Sequence, residues 1–108
     1  PDKKQIEIAK KIGADFVELH TGIYANSKNE KEYKENLADI KNTATYAHEL
    51  GLGVNAGHGL DYRNVIDICK IGRIQELNIG YSIICRAVIA GLAESVKEMR
   101  RVIDLHSL

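Results

Sequence analysis

Hydrophobic and polar positions along this chain switch repeatedly between steps of three and four and strict alternation. Asp2, with Gln5 three residues later, has the form of a helix cap, and Ile6, Ala9 and Ile12 then make an apolar stripe that Gly13 closes. "DFVELH", Asp15 to His20, alternates as a strand does and ends in a turn at Thr21-Gly22. Ser27-Lys28-Asn29-Glu30 reads as a capping box. It opens a helix carrying Tyr33, Leu37, Ile40, Ala44 and Ala47, with Gly51 placed to cap its end. "LGVNAG", Leu52 to Gly57, is a second strand. Asp61 caps a short helix containing Val65, Ile66 and Cys69, which Gly72 ends. "IQELNIG", Ile74 to Gly80, is the third strand, and a single last helix runs from about Ser82 to about Leu105. Its inner face is expected to carry Ile84, Val88, Leu92, Met99 and Val102.

The pattern is therefore α/β: one helix followed by three βα units, which predicts a parallel sheet with crossover helices. Parallel strands need cover on both faces, and three of them alone leave bare edges. The expectation is a (β/α)8 TIM barrel in which residues 1–108 are the C-terminal segment of one domain. They would supply about the last three βα units plus one preceding helix, with the N-terminal strands absent from this chain. Side chains alternate along a strand, so Glu18, His20, Asn55, Glu76 and Asn78 fall on one face and the aliphatic residues on the other. If the aliphatic set packs under the helices, the inward face of the barrel is polar on all three strands. Buried polar groups must pair with each other, with water or with a ligand. The competing reading is an open two-layer sheet that shows these residues to water.

Two strands run into glycine-rich turns, "AGHGL" and "NIGYS". Glycine lets backbone N–H groups approach an anion closely, and a following helix N-terminus adds partial positive charge. Gly59, Gly80 and the amide of Tyr81 are thus candidate phosphate contacts, although glycine after a strand is often only a turn requirement. His58, open between Gly57 and Gly59, can exchange protons at cellular pH, or it can simply be a turn residue bonded to backbone. Glu18 can anchor His20 or Asn55, or stabilise positive charge on a substrate. A metal site from Glu18, His20 and His58 has no helix-borne ligand pair to support it. His48 and His106 lie late in helices, where they complement the helix dipole.

Charge and composition narrow the field. Fifteen basic residues balance fifteen acidic ones, so no global field draws in nucleic acid or an anionic membrane, and any anion must be held locally. No apolar run approaches the roughly 20 residues of a membrane span, and no signal-like segment opens the chain. Cys69 and Cys85 lie in helix-like patterns without zinc spacing, which suits buried thiols of a cytoplasmic protein.

Together "FVELHTG", "VNAGHGL" and "ELNIGYSIICRAVIAGL" resemble the pyridoxine 5'-phosphate synthase family of vitamin B6 biosynthesis, over essentially all 108 residues. The resemblance implies a transferase that condenses 1-deoxy-D-xylulose 5-phosphate with 3-amino-2-oxopropyl phosphate. The products are pyridoxine 5'-phosphate, inorganic phosphate and water, formed by acid–base chemistry with no cofactor and no metal. It implies that Glu18 stabilises the transition state, that His58 donates a proton, and that Gly59 and Gly80 contact substrate phosphate. Tyr81 stands where family members often have histidine, so a backbone contact survives there but an imidazole role does not. The family's other proton acceptors and its phosphate-binding arginine lie in the N-terminal part, so this chain alone is expected to be inactive. A homo-octamer is implied as well. The alternatives are another phosphosugar-binding TIM-barrel isomerase or aldolase, and a non-catalytic anion-binding half-barrel. Lys10, Lys41 and Lys70 all fall in helix patterns, which leaves an aldolase without an evident Schiff-base lysine.

Overall fold

The computed structural model describes all residues from Pro1 to Leu108. α1 (Lys3–Lys11) leads into β1 (Phe16–His20), a single-turn helix α2 (Gly22–Ala25) and the long α3 (Glu30–Glu49). β2 (Gly53–Gly57), α4 (Val65–Cys69), β3 (Glu76–Asn78), α5 (Tyr81–Ala90) and α6 (Leu92–His106) complete the chain. The strands form one parallel sheet in the order β1-β2-β3, with Glu18 beside Asn55 and Asn55 beside Glu76. This is the expected helix followed by three βα units.

Local chemistry sets the helix boundaries. The Asp2 carboxylate accepts the Lys4 N–H at 2.9 Å and starts α1. The capping box of α3 sits two residues beyond Ser27. Asn29 accepts the Glu32 N–H, and the Glu32 carboxylate accepts the Lys28 N–H, each at 2.9 Å. Ser27 does not cap, because its hydroxyl donates to the Tyr24 carbonyl at the end of α2. Asp61 accepts from the N–H groups of Arg63 and Asn64 at 2.8 Å and shapes the turn that precedes α4.

The final helix is two helices. Gly91, at φ 84° and ψ 153°, ends α5 and begins α6 in a conformation open only to glycine. Its carbonyl accepts both the N–H and the hydroxyl of Ser95. The break changes which residues are covered. Met99 on α6 is buried and Val102 partly so, but α5 buries no residue. Ile84, Val88 and Leu92, expected on an inner face, are exposed, as is Ile12 at the end of α1. Of the two thiols Cys69 is buried, where burial pushes it above its ordinary range, while Cys85 is exposed on the uncovered α5.

The core is one layer thick. Leu19, Val54 and Ala56 point from the sheet onto Ile40, Ala44 and Ala47 of α3 and Val65 and Ile68 of α4. The opposite face of the sheet has no layer over it, so Phe16, Glu18, His20, Glu76 and Asn78 are exposed. The Cα radius of gyration, 14.4 Å, exceeds the roughly 13 Å of a compact domain of about this size. No helix is long and apolar enough to cross a membrane.

One polar network ties the helices beneath the sheet. Tyr33 donates to Asp67 at 2.5 Å, and the buried Tyr24 hydroxyl lies 2.8 Å from that of Tyr33 and 2.5 Å from the Asn64 carbonyl. Burial, reinforced by Tyr33, keeps the Tyr24 phenol protonated well above its usual range. The Tyr33 bond holds Asp67 below the usual carboxylate range, with Lys70 adding to it. A depressed carboxyl stabilises the fold above its unfolded pKa, and the contribution disappears as pH falls through the folded value. Tyr33→Phe is therefore expected to cost about 1 kcal/mol at neutral pH. That cost should shrink as pH falls below the ordinary carboxylate range and through the depressed pKa of Asp67. Denaturant melts of the full-length protein across pH measure both effects.

Candidate active site

The site is assembled where the C-terminal ends of the strands meet. Thr21, fully buried just after β1, donates its N–H to the Gly57 carbonyl at 2.8 Å. Its hydroxyl lies 2.7 Å from that same oxygen and 2.6 Å from the His58 carbonyl, sharing one proton between them. These contacts fix the end of β2 against β1 and hold His58 at φ 84°, the one non-glycine residue with positive φ. The turn is therefore not loose around its imidazole. Its backbone is bound from below and its side chain rises on the open face.

There His58 meets Glu18. Nε2 lies 3.6 Å from Glu18 Oε2, an ion pair whenever the imidazole is protonated. The second carboxylate oxygen accepts from the Asn78 amide at 2.5 Å, so β3 orients an acid carried by β1. Gly57 makes room for this arrangement, since a Cβ there would lie 3.0 Å from Glu18 Oε1. His20 does not bond to Glu18, as the sequence had allowed. Its Nδ1 accepts the Gly22 N–H at 3.1 Å, and its ring stacks on His58 with centroids 4.1 Å apart and planes 10° from parallel. Stacked rings set their nitrogens side by side rather than toward a common point, and Glu18, His20 and His58 do not form a metal-holding group.

The two glycine turns are joined directly. Ser82, in the first turn of α5, donates its hydroxyl to the Leu60 carbonyl at 2.8 Å. No side chain caps α5, which leaves its first N–H groups available. Around Gly80 a Cβ would meet nothing within 4 Å, so packing does not demand glycine there. Gly59 is different: φ is 74° and a Cβ would lie 2.6 Å from that of Ala25. A cleft of about 570 Å³ opens between these turns. Glu18, His58, Gly59, Gly80 and Tyr81, the five residues singled out from the sequence, all line it. Asn78, Ser82 and Asp61 line it too, and no lysine or arginine does. The Tyr81 ring is exposed, and Cys85 one turn further on raises its phenol above the ordinary range.

Three residues of this arrangement escaped the sequence reading as site members: Thr21, Asn78 and Ser82. In sequence Asn78 reads only as a polar member of its strand, and its alternation with Leu77 and Ile79 is the available signal. Thr21 and Ser82 carry no signal in sequence, since their partners lie 36 and 22 residues away.

Parallel βα units with an acid–imidazole pair and open helix N-terminal amides at the C-terminal ends of the strands define the chain as an α/β protein. Within that class, the model of the pyridoxal phosphate biosynthesis protein PdxJ family matches residues 1–105, and the chain belongs to this family. It is 54% identical over 103 residues to pyridoxine 5'-phosphate synthase of Coxiella burnetii, an alignment covering 95% of this chain and 43% of that protein. The enzymes of the same name from Idiomarina loihiensis and Sulfurihydrogenibium are 48% and 53% identical over the same length, with 43% and 42% of each covered. The chain thus spans less than half the length of these relatives, and the match falls in their C-terminal part.

The Thr21 clamp makes a sharp prediction. Thr21→Val keeps the shape but removes the hydroxyl, leaving the His58 carbonyl without its donor while the backbone N–H of residue 21 still serves Gly57. It is expected to destabilise the full-length protein by about 1–3 kcal/mol in denaturant melts. Thr21→Ser, which restores the donor, should recover most of that.

Proposed function

We propose that these residues form the last three βα units, and one preceding helix, of a (β/α)8 barrel that acts as a pyridoxine 5'-phosphate synthase. The observation that carries this reading is the single cleft lined by Glu18, His58, Gly59, Gly80 and Tyr81 at the strand C-termini. That is the end where barrel enzymes hold their chemistry, with phosphate at the loops after the last two strands. The open polar face of the sheet becomes the barrel lumen, and the missing strands supply its other wall. The condensation of 1-deoxy-D-xylulose 5-phosphate with 3-amino-2-oxopropyl phosphate proceeds by imine formation, loss of phosphate, aldol-type ring closure and dehydration. Every step is a proton transfer coupled to making or breaking a bond at carbon, nitrogen or oxygen, so positioned acids and bases carry it.

Residue roles follow from placement. The amides at Gly59, Gly80 and Tyr81 receive substrate phosphate, with the N-terminus of the ten-residue α5 adding its dipole. His58 Nε2 faces the cleft and donates a proton to a departing oxygen. Glu18 would repel a phosphate but stabilises the cationic nitrogen of an imine, and Asn78 holds it in the orientation to do so. With no lysine or arginine on the cleft wall, the neutralising cation for phosphate comes from the remainder of the barrel. The same lack of a cleft lysine disfavours a Schiff-base aldolase. The protein works as a cytoplasmic homo-oligomer, octameric by resemblance, on small phosphorylated substrates.

His58→Ala in the full-length enzyme is expected to lower kcat by about 10²-fold or more, the usual worth of a general acid. Affinity for inorganic phosphate should stay within a few-fold. Undiminished turnover would remove His58 as proton donor. Phosphate binding by an unmutated full-length protein without any turnover would point to the non-catalytic half-barrel instead. The isolated 108 residues should show no activity, because the sheet lacks cover on one face and the remaining bases are missing.

A further inference from the structure

His20 has no part in the chemistry described so far, yet its ring has defined partners. Three observations constrain it. Its Nδ1 accepts the Gly22 N–H at 3.1 Å, which requires an unprotonated nitrogen there and so fixes the uncharged Nε2–H tautomer. Gly22 is itself fitted to the ring, because a Cβ at that position would lie 2.5 Å from His20 Cε1. The ring then lies flat against His58, 4.1 Å between centroids and 10° from parallel.

The stack fills a gap in the support of His58. Thr21 holds the backbone of residue 58 through its carbonyl and that of Gly57, but a backbone contact does not fix χ1 or χ2 of the imidazole. The neighbours Gly57 and Gly59 have no side chains to wedge the ring, and the Glu18 contact at 3.6 Å is too long to orient it as a hydrogen bond does. The His20 face is therefore the surface that sets the plane of the His58 ring and aims Nε2 at Glu18 and the cleft. With its Nδ1 lone pair engaged by Gly22, the His20 ring keeps one flat face turned to His58.

We propose that His20 is a positioning residue for His58, acting by ring stacking and locked in place by the Gly22 amide. This rests on the proposed role of His58 as proton donor. Two substitutions in the full-length enzyme separate the parts. His20→Phe keeps a flat face and loses the nitrogen, and His20→Ala loses both. His20 is exposed, so neither change opens the core. The expected result is a fall in kcat of about tenfold to a hundredfold for His20→Ala, with KM changed less than twofold, as for a misplaced catalytic group. His20→Phe should recover kcat to within a few-fold of the parent. Independently of turnover, the ring protons of His58 should resonate upfield in the parent and in His20→Phe, and move toward free-imidazole positions in His20→Ala. Equal kcat in all three proteins, equal loss in both variants, or His58 resonances indifferent to His20 would each overturn the proposal. If His58→Ala retains turnover, the proton-donor reading fails instead, while the resonances still report whether the stack exists.

Discussion

The whole upper edge of this sheet depends on how one buried threonine spends its hydrogen bonds. Thr21 follows β1 directly, and its N–H and hydroxyl reach the carbonyls of Gly57 and His58 at the end of β2. Two carbonyls that would otherwise be left at a buried strand end are satisfied by a residue with no contact to the cleft. In consequence the β2 exit is forced into a left-handed turn, which brings its side chain back over β1 rather than away from it. The approach of His58 to Glu18 and the stack on His20 both follow from that direction. A looser strand exit would leave the same residues near one another without a common orientation.

Below this edge the molecule follows ordinary packing rules, and above it the rules are suspended. Leu19, Val54 and Ala56 are buried under α3 and α4, while the alternate positions Glu18, Asn55 and Glu76 form a polar row across the strands. The Asn55 carboxamide oxygen is shielded from solvent and has no partner, which costs on the order of 1–3 kcal/mol if left so. α5 carries a similar debt in apolar form, with Val88 and Ile89 each more than four-fifths exposed. Both features would be relieved by the closed barrel proposed above, in which a further layer of structure meets this one.

Much of this was legible in sequence because period and punctuation agreed. The three strands, the main helices between them and the glycine stops at Gly13 and Gly51 are local features and appear in the expected order. However, β3 is only Glu76–Asn78, the short helix starts after Asn64 rather than at Asp61, and the one-turn α2 had no signal. The placing of Glu18 and His58 at one end of the sheet was legible too, but alternation gives His58 the parity of Val54 and Ala56, and only the left-handed turn carries its ring to the Glu18 face. What escaped detection depended on choices between neighbours of similar chemistry. Ser27 and Asn29 both cap well, and the Tyr24 carbonyl took the serine. The Gly91 break lay hidden because glycine inside a helical pattern costs only about 1 kcal/mol, and the residues on either side are good helix formers. The partner of His20 was misjudged because an acid two residues away is a stronger electrostatic attraction than a ring 38 residues on, until the register shows Asn78 already occupying that acid.

The electrostatics of the cleft bear on why the segment is built as it is. The proposed site for two phosphorylated substrates would be expected to concentrate lysine and arginine, yet the cleft wall holds Glu18 and Asp61 and no lysine or arginine. Asp61 is turned through Oδ1 to the backbone amides of Arg63 and Asn64, whereas Glu18 is held by Asn78 beside His58. A cation placed on these same strands would pair with Glu18 at close range and quench the charge that an imine nitrogen needs. On the proposed reading, proton donation and imine stabilisation are thus kept on one wall of the barrel, with phosphate met there only by uncharged amides. On that same reading the compensating positive charge would stand across the lumen, with the substrate bridging the two.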